Sequence, residues 1–309
     1  MTLLTFETVT LIAAMLAAGA VAGVAAGLFG IGGGFVVVPA LLAIFAALGV
    51  DPEISVPMAL GTSLGTIILT SLRSVHAHSK RGAVDFDILK AWAPWIVLGV
   101  ALGLVFASRA PGDVLKAVFG VGVLLLSLNF LFPNALKGVS IKEEMPTGMA
   151  LAAIATFLGG FSALLGIGGG TIAVLVMTLC GRSIHQAIAT AAGFGAIIAV
   201  PGTIGWAIVG LNESGVPPGS IGYINLIGLI AIASTSVLTA PIGAALAHKL
   251  NPLALKRVFG AYLVFTSVLM LKDVVDIPVF SPAADKAPVA DAAPAHPVNA
   301  IGSTEGGER

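Results

Sequence analysis

The chain has 309 residues, of which 57% are hydrophobic and 10% charged, and its mean hydropathy is +1.05. A soluble domain carries about 25% charged residues, so a soluble globular enzyme, a disordered protein and a nucleic-acid binder are excluded. Fifteen basic residues balance fifteen acidic ones, which leaves no net field to gather nucleic acid. What remains is an integral membrane protein with its apolar surface toward lipid. Glycine is the second departure: 39 residues, close to twice the usual share of about 7%.

In chain order, apolar runs predict ten segments, near 8–29, 34–50, 54–72, 90–108, 114–132, 147–166, 169–181, 186–210, 221–247 and 256–271. Most approach the ~20 residues a helix needs to cross a bilayer, which gives an all-α integral membrane fold. The second and seventh are short and begin at a glycine cluster, so each either crosses or turns back as a re-entrant hairpin. Met1 to Thr8 carries Glu7 and no basic residue, unlike the start of a secretion signal. The first segment is therefore expected to stay as a transmembrane helix. Pro278, Pro282, Pro288, Pro294 and Pro297 predict a disordered Pro/Ala-rich tail over 277–309. The single Cys180 excludes an internal disulfide and any multi-cysteine metal site.

The chain also repeats itself. Gly30-Ile31-Gly32-Gly33-Gly34 returns as Gly166-Ile167-Gly168-Gly169-Gly170, and Gly23 and Leu28 return at the same offset as Gly159 and Leu164. Ile54, Ala59, Gly65, Ile67 and Ile68 match Ile184, Ala189, Gly195, Ile197 and Ile198. Leu115-Lys116-x-Val118-Phe119-Gly120 returns as Leu255-Lys256-x-Val258-Phe259-Gly260. These blocks define a first membrane repeat over 1–136 and a second over 137–276, with five segments each. An odd number per repeat inverts the second half. If all ten segments cross, Arg73, Lys80, Arg81, Lys90, Lys137, Lys142, Arg182, Lys249, Lys256 and Arg257 share one side, against Arg109, Lys116 and Lys272. That bias marks the first side as cytoplasmic. The expectation is a multi-pass protein of the plasma (inner) membrane with both termini on the non-cytoplasmic side.

Three adjacent glycines do not belong inside a helix, where each costs about 1 kcal/mol relative to Ala. Freed backbone groups are tolerated at membrane depth only when buried in protein or lining a polar cavity. A break there leaves N–H groups at the start of the next helix, whose positive end holds an oxyanion without Lys or Arg. Paired glycine-interrupted segments in two halves mark a transporter binding site. Gly19, Gly23 and Gly27, Gly61 and Gly65, and Gly99 and Gly103 instead fit close helix packing at four-residue spacing.

The doubled Gly-Ile-Gly-Gly-Gly element precedes a short apolar segment that runs to Pro39 in one half and to Cys180-Gly181 in the other. With it, residues 8–272 resemble the sulfite exporter TauE/SafE family of membrane permeases. The second half lacks a proline matching Pro39, and Pro201 has no partner in the first half. The resemblance implies a transporter of sulfur-containing anions such as sulfite or an organosulfonate, and no enzyme. Beside it, the residues alone point to a small anionic substrate held near the midplane and moved by alternating access. Its candidate ligands are the backbones of Gly30, Gly32, Gly33, Gly34, Gly166, Gly168, Gly169 and Gly170 and the hydroxyls of Thr62, Ser63 and Thr171. Ser162 flanks the second cluster.

Competing readings are a permease for a different small organic anion, an intramembrane enzyme and a divalent-metal permease. Gly160-Phe161-Ser162-Ala163 faintly resembles the Gly-x-Ser-Gly of rhomboid proteases, without the last glycine and without a mid-membrane His as base. Metal transport requires clustered His, Asp, Cys or Met, and His76 and His78 do not share a helix face. A nucleotide fold requires Gly-x-Gly-x-x-Gly, where Phe35 takes the last position. No metal, cofactor or nucleic acid is expected. Arg73 closes the third segment at the cytoplasmic interface, and Trp92, Trp95 and Trp206 are expected as interfacial anchors.

Overall fold

The computed structural model describes residues 6–29, 32–80, 82–132, 144–247 and 252–275. Gly30, Arg81, Lys137, Lys142, Lys249 and the 277–309 tail lie outside them. Ten helices follow in order among the described residues: α1 (Phe6–Phe29), α2 (Gly34–Ala47), α3 (Pro52–Ser79), α4 (Phe86–Ala107), α5 (Gly112–Leu131), α6 (Gly148–Leu164), α7 (Gly170–Leu179), α8 (Ile184–Val209), α9 (Leu226–Ala247) and α10 (Pro252–Val275). Between α8 and α9, β1 (Ser220–Ile221) pairs antiparallel with β2 (Ile224–Asn225). Seven helices are long and apolar enough to cross a membrane; α2, α6 and α7 are shorter.

Every predicted segment is a helix, with two corrections. The ninth starts later than its apolar run because 220–225 forms the hairpin, and the seventh ends at Leu179; α2, as expected for 34–50, runs through Pro39 to Ala47. Polar caps set several starts. The Asp51 carboxylate accepts from Glu53 N–H at 2.8 Å with Pro52 in the first turn, and Asp85 accepts from Ile88 N–H at 3.1 Å. Glu53 reaches further: its carboxylate accepts from Gly112 N–H at 2.6 Å, so an acidic group sits on the positive end of α5.

α3 is mostly buried and runs antiparallel to α8 at the centre, where Gly61 meets Trp206 and Gly202 meets Leu64. Around that pair, α1 packs along α9, α6 along α4, and α5 along α10. Exchanging the first five helices for the last five maps these pairs onto themselves, down to single residues. Gly23 abuts the backbone of Ser236 where Gly159 abuts that of Ile96, and Gly243 abuts Val24 O where Gly103 abuts Gly160 O. Missing side chains let these backbones touch, so dispersion and hydrogen bonds hold helices that lipid cannot drive together. The Thr235 hydroxyl donates to Leu16 O and the Thr239 hydroxyl to Ala20 O, one turn apart along the α1–α9 seam.

The tryptophan expectation is corrected. Trp92 packs on Phe194 of α8 with ring centroids 5.5 Å apart, Trp206 packs on Tyr223, and both are buried; only Trp95 is exposed. Leu102, Leu238 and Phe265 are more than half exposed and form part of the apolar surface suited to lipid.

Gly159→Val drives two methyl groups toward the Ile96 backbone and lowers stability by about 1–3 kcal/mol. Ala101→Val, on the exposed side of α4, leaves it nearly unchanged. Thermal unfolding in detergent compares the two.

Candidate functional site

Both glycine clusters break the chain between helices. Gly33 stands at the N-cap of α2 with φ +81°, and Gly169 at that of α7 with φ +67°. This left-handed conformation suits glycine and strains any other residue. α2 and α7, at 14 and 10 residues, span only about 21 and 15 Å, against a hydrocarbon core of about 30 Å.

The breaks meet partway along α3. Gly32 lies against Ile67, and Gly166 against Leu60. The two clusters touch: a methyl group on Gly34 would stand 2.5 Å from the Gly166 carbonyl oxygen. Gly168 lies near Gly195 of α8, and a methyl group on Gly169 would stand 3.0 Å from the Ser162 hydroxyl oxygen. Of the predicted residues, Gly30 lies outside the described residues, and the other glycines border this junction.

The predicted hydroxyls divide into tied and free. Ser63 donates to Gly166 O at 2.7 Å and locks the second break to α3. Thr62 accepts from Asn225 N–H at 2.9 Å, while Asn225 Oδ1 accepts from Gly228 N–H at 2.7 Å and caps α9. Thr66 and Thr70 donate within their own helix, as membrane hydroxyls commonly do. Thr171 is different: it is buried, and its hydroxyl has no partner among the described residues. Ser162 shares that condition and was not selected from sequence, because only its place beside Gly169 distinguishes it.

The α7 backbone adds donors. Its ladder opens with Ala173 N–H donating to Gly169 O, so the N–H groups of Gly170, Thr171 and Ile172 precede the first intrahelical bond. On α2 the corresponding ladder opens with Val36 and Val37 N–H on Gly33 O. The two ends differ in their walls. At α2, Phe35 and Phe29 join Phe130, Phe259 and Tyr262 in an aromatic cluster. From 29 to 50 and from 148 to 181 the chain has no charged residue and no histidine, so the partial charges of the helix ends act with no formal charge from either segment.

A separate cavity of about 150 Å³ lies at the opposite end of α3 from Arg73, lined by Glu53, Pro57, Trp206, Glu213 and Tyr223 among others. Tyr223 donates to Glu213 at 3.0 Å, and burial together with that carboxylate pushes its phenol up to about 12. Among the described residues no group of three metal-ligating side chains occurs.

Seven membrane-length helices around two touching half-helix ends define a polytopic helical membrane protein of transporter type. The family model for the sulfite exporter TauE/SafE matches residues 15–270, and the chain belongs to that family of membrane transporters. It is 32% identical over 266 residues to a probable membrane transporter protein of Haemophilus influenzae, covering 84% of this chain and 98% of that one. A probable membrane transporter protein of Methanocaldococcus jannaschii is 26% identical over 87% of this chain and 98% of its own. The probable membrane transporter protein MamO of Magnetospirillum gryphiswaldense is 26% identical over 82% of this chain and 44% of its own length. No solved structure matches.

Ser63→Ala leaves the buried Gly166 carbonyl without its hydroxyl donor and costs about 1–3 kcal/mol. Ser63→Thr, which keeps the hydroxyl, loses less. Unfolding midpoints of the two variants in detergent measure the difference.

Proposed function

We propose that this transporter carries a small sulfur-containing oxyanion, sulfite or an organosulfonate, held where the first turns of α2 and α7 meet. One observation carries the reading: a charge-free helix start with two buried hydroxyls, Ser162 and Thr171, that have no partner among the described residues. A buried hydroxyl without a partner costs about 1–3 kcal/mol, which an oxyanion accepting from both, and from the N–H groups of Gly170 and Thr171, recovers. The positive end of α7 adds attraction for a negative charge.

The aromatic walls beside α2 favour an anion with a short carbon portion over a bare inorganic one. Its oxygens face α7 and its carbon end faces Phe35. The exchange-symmetric packing supports reading the halves as interleaved inverted repeats. Alternating access moves the α1–α9 and α4–α6 pairs about this junction, and the basic-residue bias favours both termini on the non-cytoplasmic side of the plasma (inner) membrane. A different small organic anion uses the same donors, and competition distinguishes the two classes.

Flux of labelled sulfite and of a short organosulfonate into proteoliposomes tests the site. Ser162→Ala and Thr171→Val each raise KM roughly tenfold or more, since a hydrogen bond to a charged group is worth about 1.5–3 kcal/mol. Unchanged KM in both variants contradicts the site. Saturable flux of a carboxylate with neither sulfur anion competing contradicts the substrate class.

A further inference from the structure

α3 and α9 run in the same direction and touch where Gly65 meets Leu229 and where Gly228 lies near Thr62. Beyond that contact they diverge and leave a groove of about 710 Å³. Leu69 and Leu72 of α3 face Ile230, Val237 and Leu238 of α9 across it, and Arg73 and His76 join its lining. Leu72, Ile230 and Leu238 are each more than half exposed. Arg73 is exposed too.

Depth along α3 gives the two ends different surroundings. Counting from Pro52 at 1.5 Å per residue, a hydrocarbon core of about 30 Å ends some 20 residues on, near Leu72. The leucine walls therefore lie within the acyl region, and Arg73 and His76 reach the headgroup region on the side that collects the basic residues. The counterpart groove in the other half is shut. By the offset that aligns Ile67 with Ile197, Arg73 corresponds to Thr203 and His76 to Trp206. There Gly205 abuts the Leu104 side chain and Trp206 is buried, so the open groove is not a general consequence of the repeated fold.

We infer that this groove binds an anionic phospholipid of the cytoplasmic leaflet, one acyl chain lying between α3 and α9 and its phosphate on Arg73. An acyl chain matches the apolar walls, and a phosphate matches a guanidinium that presents paired donors. A bound lipid there bridges the central helix to the outer helix α9, which itself packs on α1.

Native mass spectrometry of the full chain tests this, with phosphatidylglycerol and phosphatidylcholine of identical acyl chains added in turn. The wild type retains phosphatidylglycerol in preference to phosphatidylcholine. Arg73→Gln reduces that preference about five-fold, and Ser234→Trp, which fills the groove, reduces retention of both lipids. Inorganic phosphate at equal concentration leaves retention unchanged. Equal retention of the two lipids, no retention, displacement by inorganic phosphate, or variants that behave as wild type each overturn the proposal. So does an intermolecular disulfide formed readily by Ile230→Cys in a Cys180→Ala background, which would put a second copy in the groove.

Discussion

Within a bilayer every backbone N–H and C=O must find a partner inside the protein, and the rest of this molecule is arranged around two places where a helix is interrupted. α1 ends at Phe29 and α6 at Leu164, and the ladder restarts at Gly34 and Gly170. The freed groups are enclosed by the two most buried of the long helices, α3 and α8. Ser63 on Gly166 O is the clearest case: a side chain on the central helix supplies the donor that the broken ladder lacks. The break is thereby tolerable, and the α7 N–H groups stay directed at the junction.

Close approach of helices follows from the same constraint. Lipid tails are as apolar as leucine, so burial adds little to helix association, and contact distance decides it. Glycine at 23, 99, 103, 159 and 243 brings backbone onto backbone in both halves. The α1–α9 and α4–α6 pairs then stand as matched units about α3 and α8.

Helix positions were legible in the sequence because apolar run length and glycine interruption are local signals. The two short glycine-led segments and the division between packing glycines and break glycines follow from composition within a few residues, whereas the left-handed conformation of Gly33 and Gly169 came only with the structure. The partners of Thr62 and Ser63 were not legible. Asn225 lies 163 residues from Thr62 and Gly166 lies 103 from Ser63, and no periodicity announces such pairs. The β1–β2 hairpin hid within an apolar run. Trp92 and Trp206 were misread because hydropathy does not separate a lipid-facing surface from a protein core. Ser162 went unselected for the opposite reason: its importance lies in lacking a partner, a property only the packed structure displays.

The central claim is that backbone and hydroxyl donors at the start of α7, with no cation in that segment, hold the anion. Amide nitrogen and proton shifts of glycine-labelled protein in lipid, recorded by solid-state NMR as a sulfonate is added, test it most directly. The account predicts saturable shifts at Gly170 and Gly34, with Gly99 and Gly103 unmoved. Shifts confined to the basic loops, or none at Gly170 at concentrations that saturate transport, would contradict it.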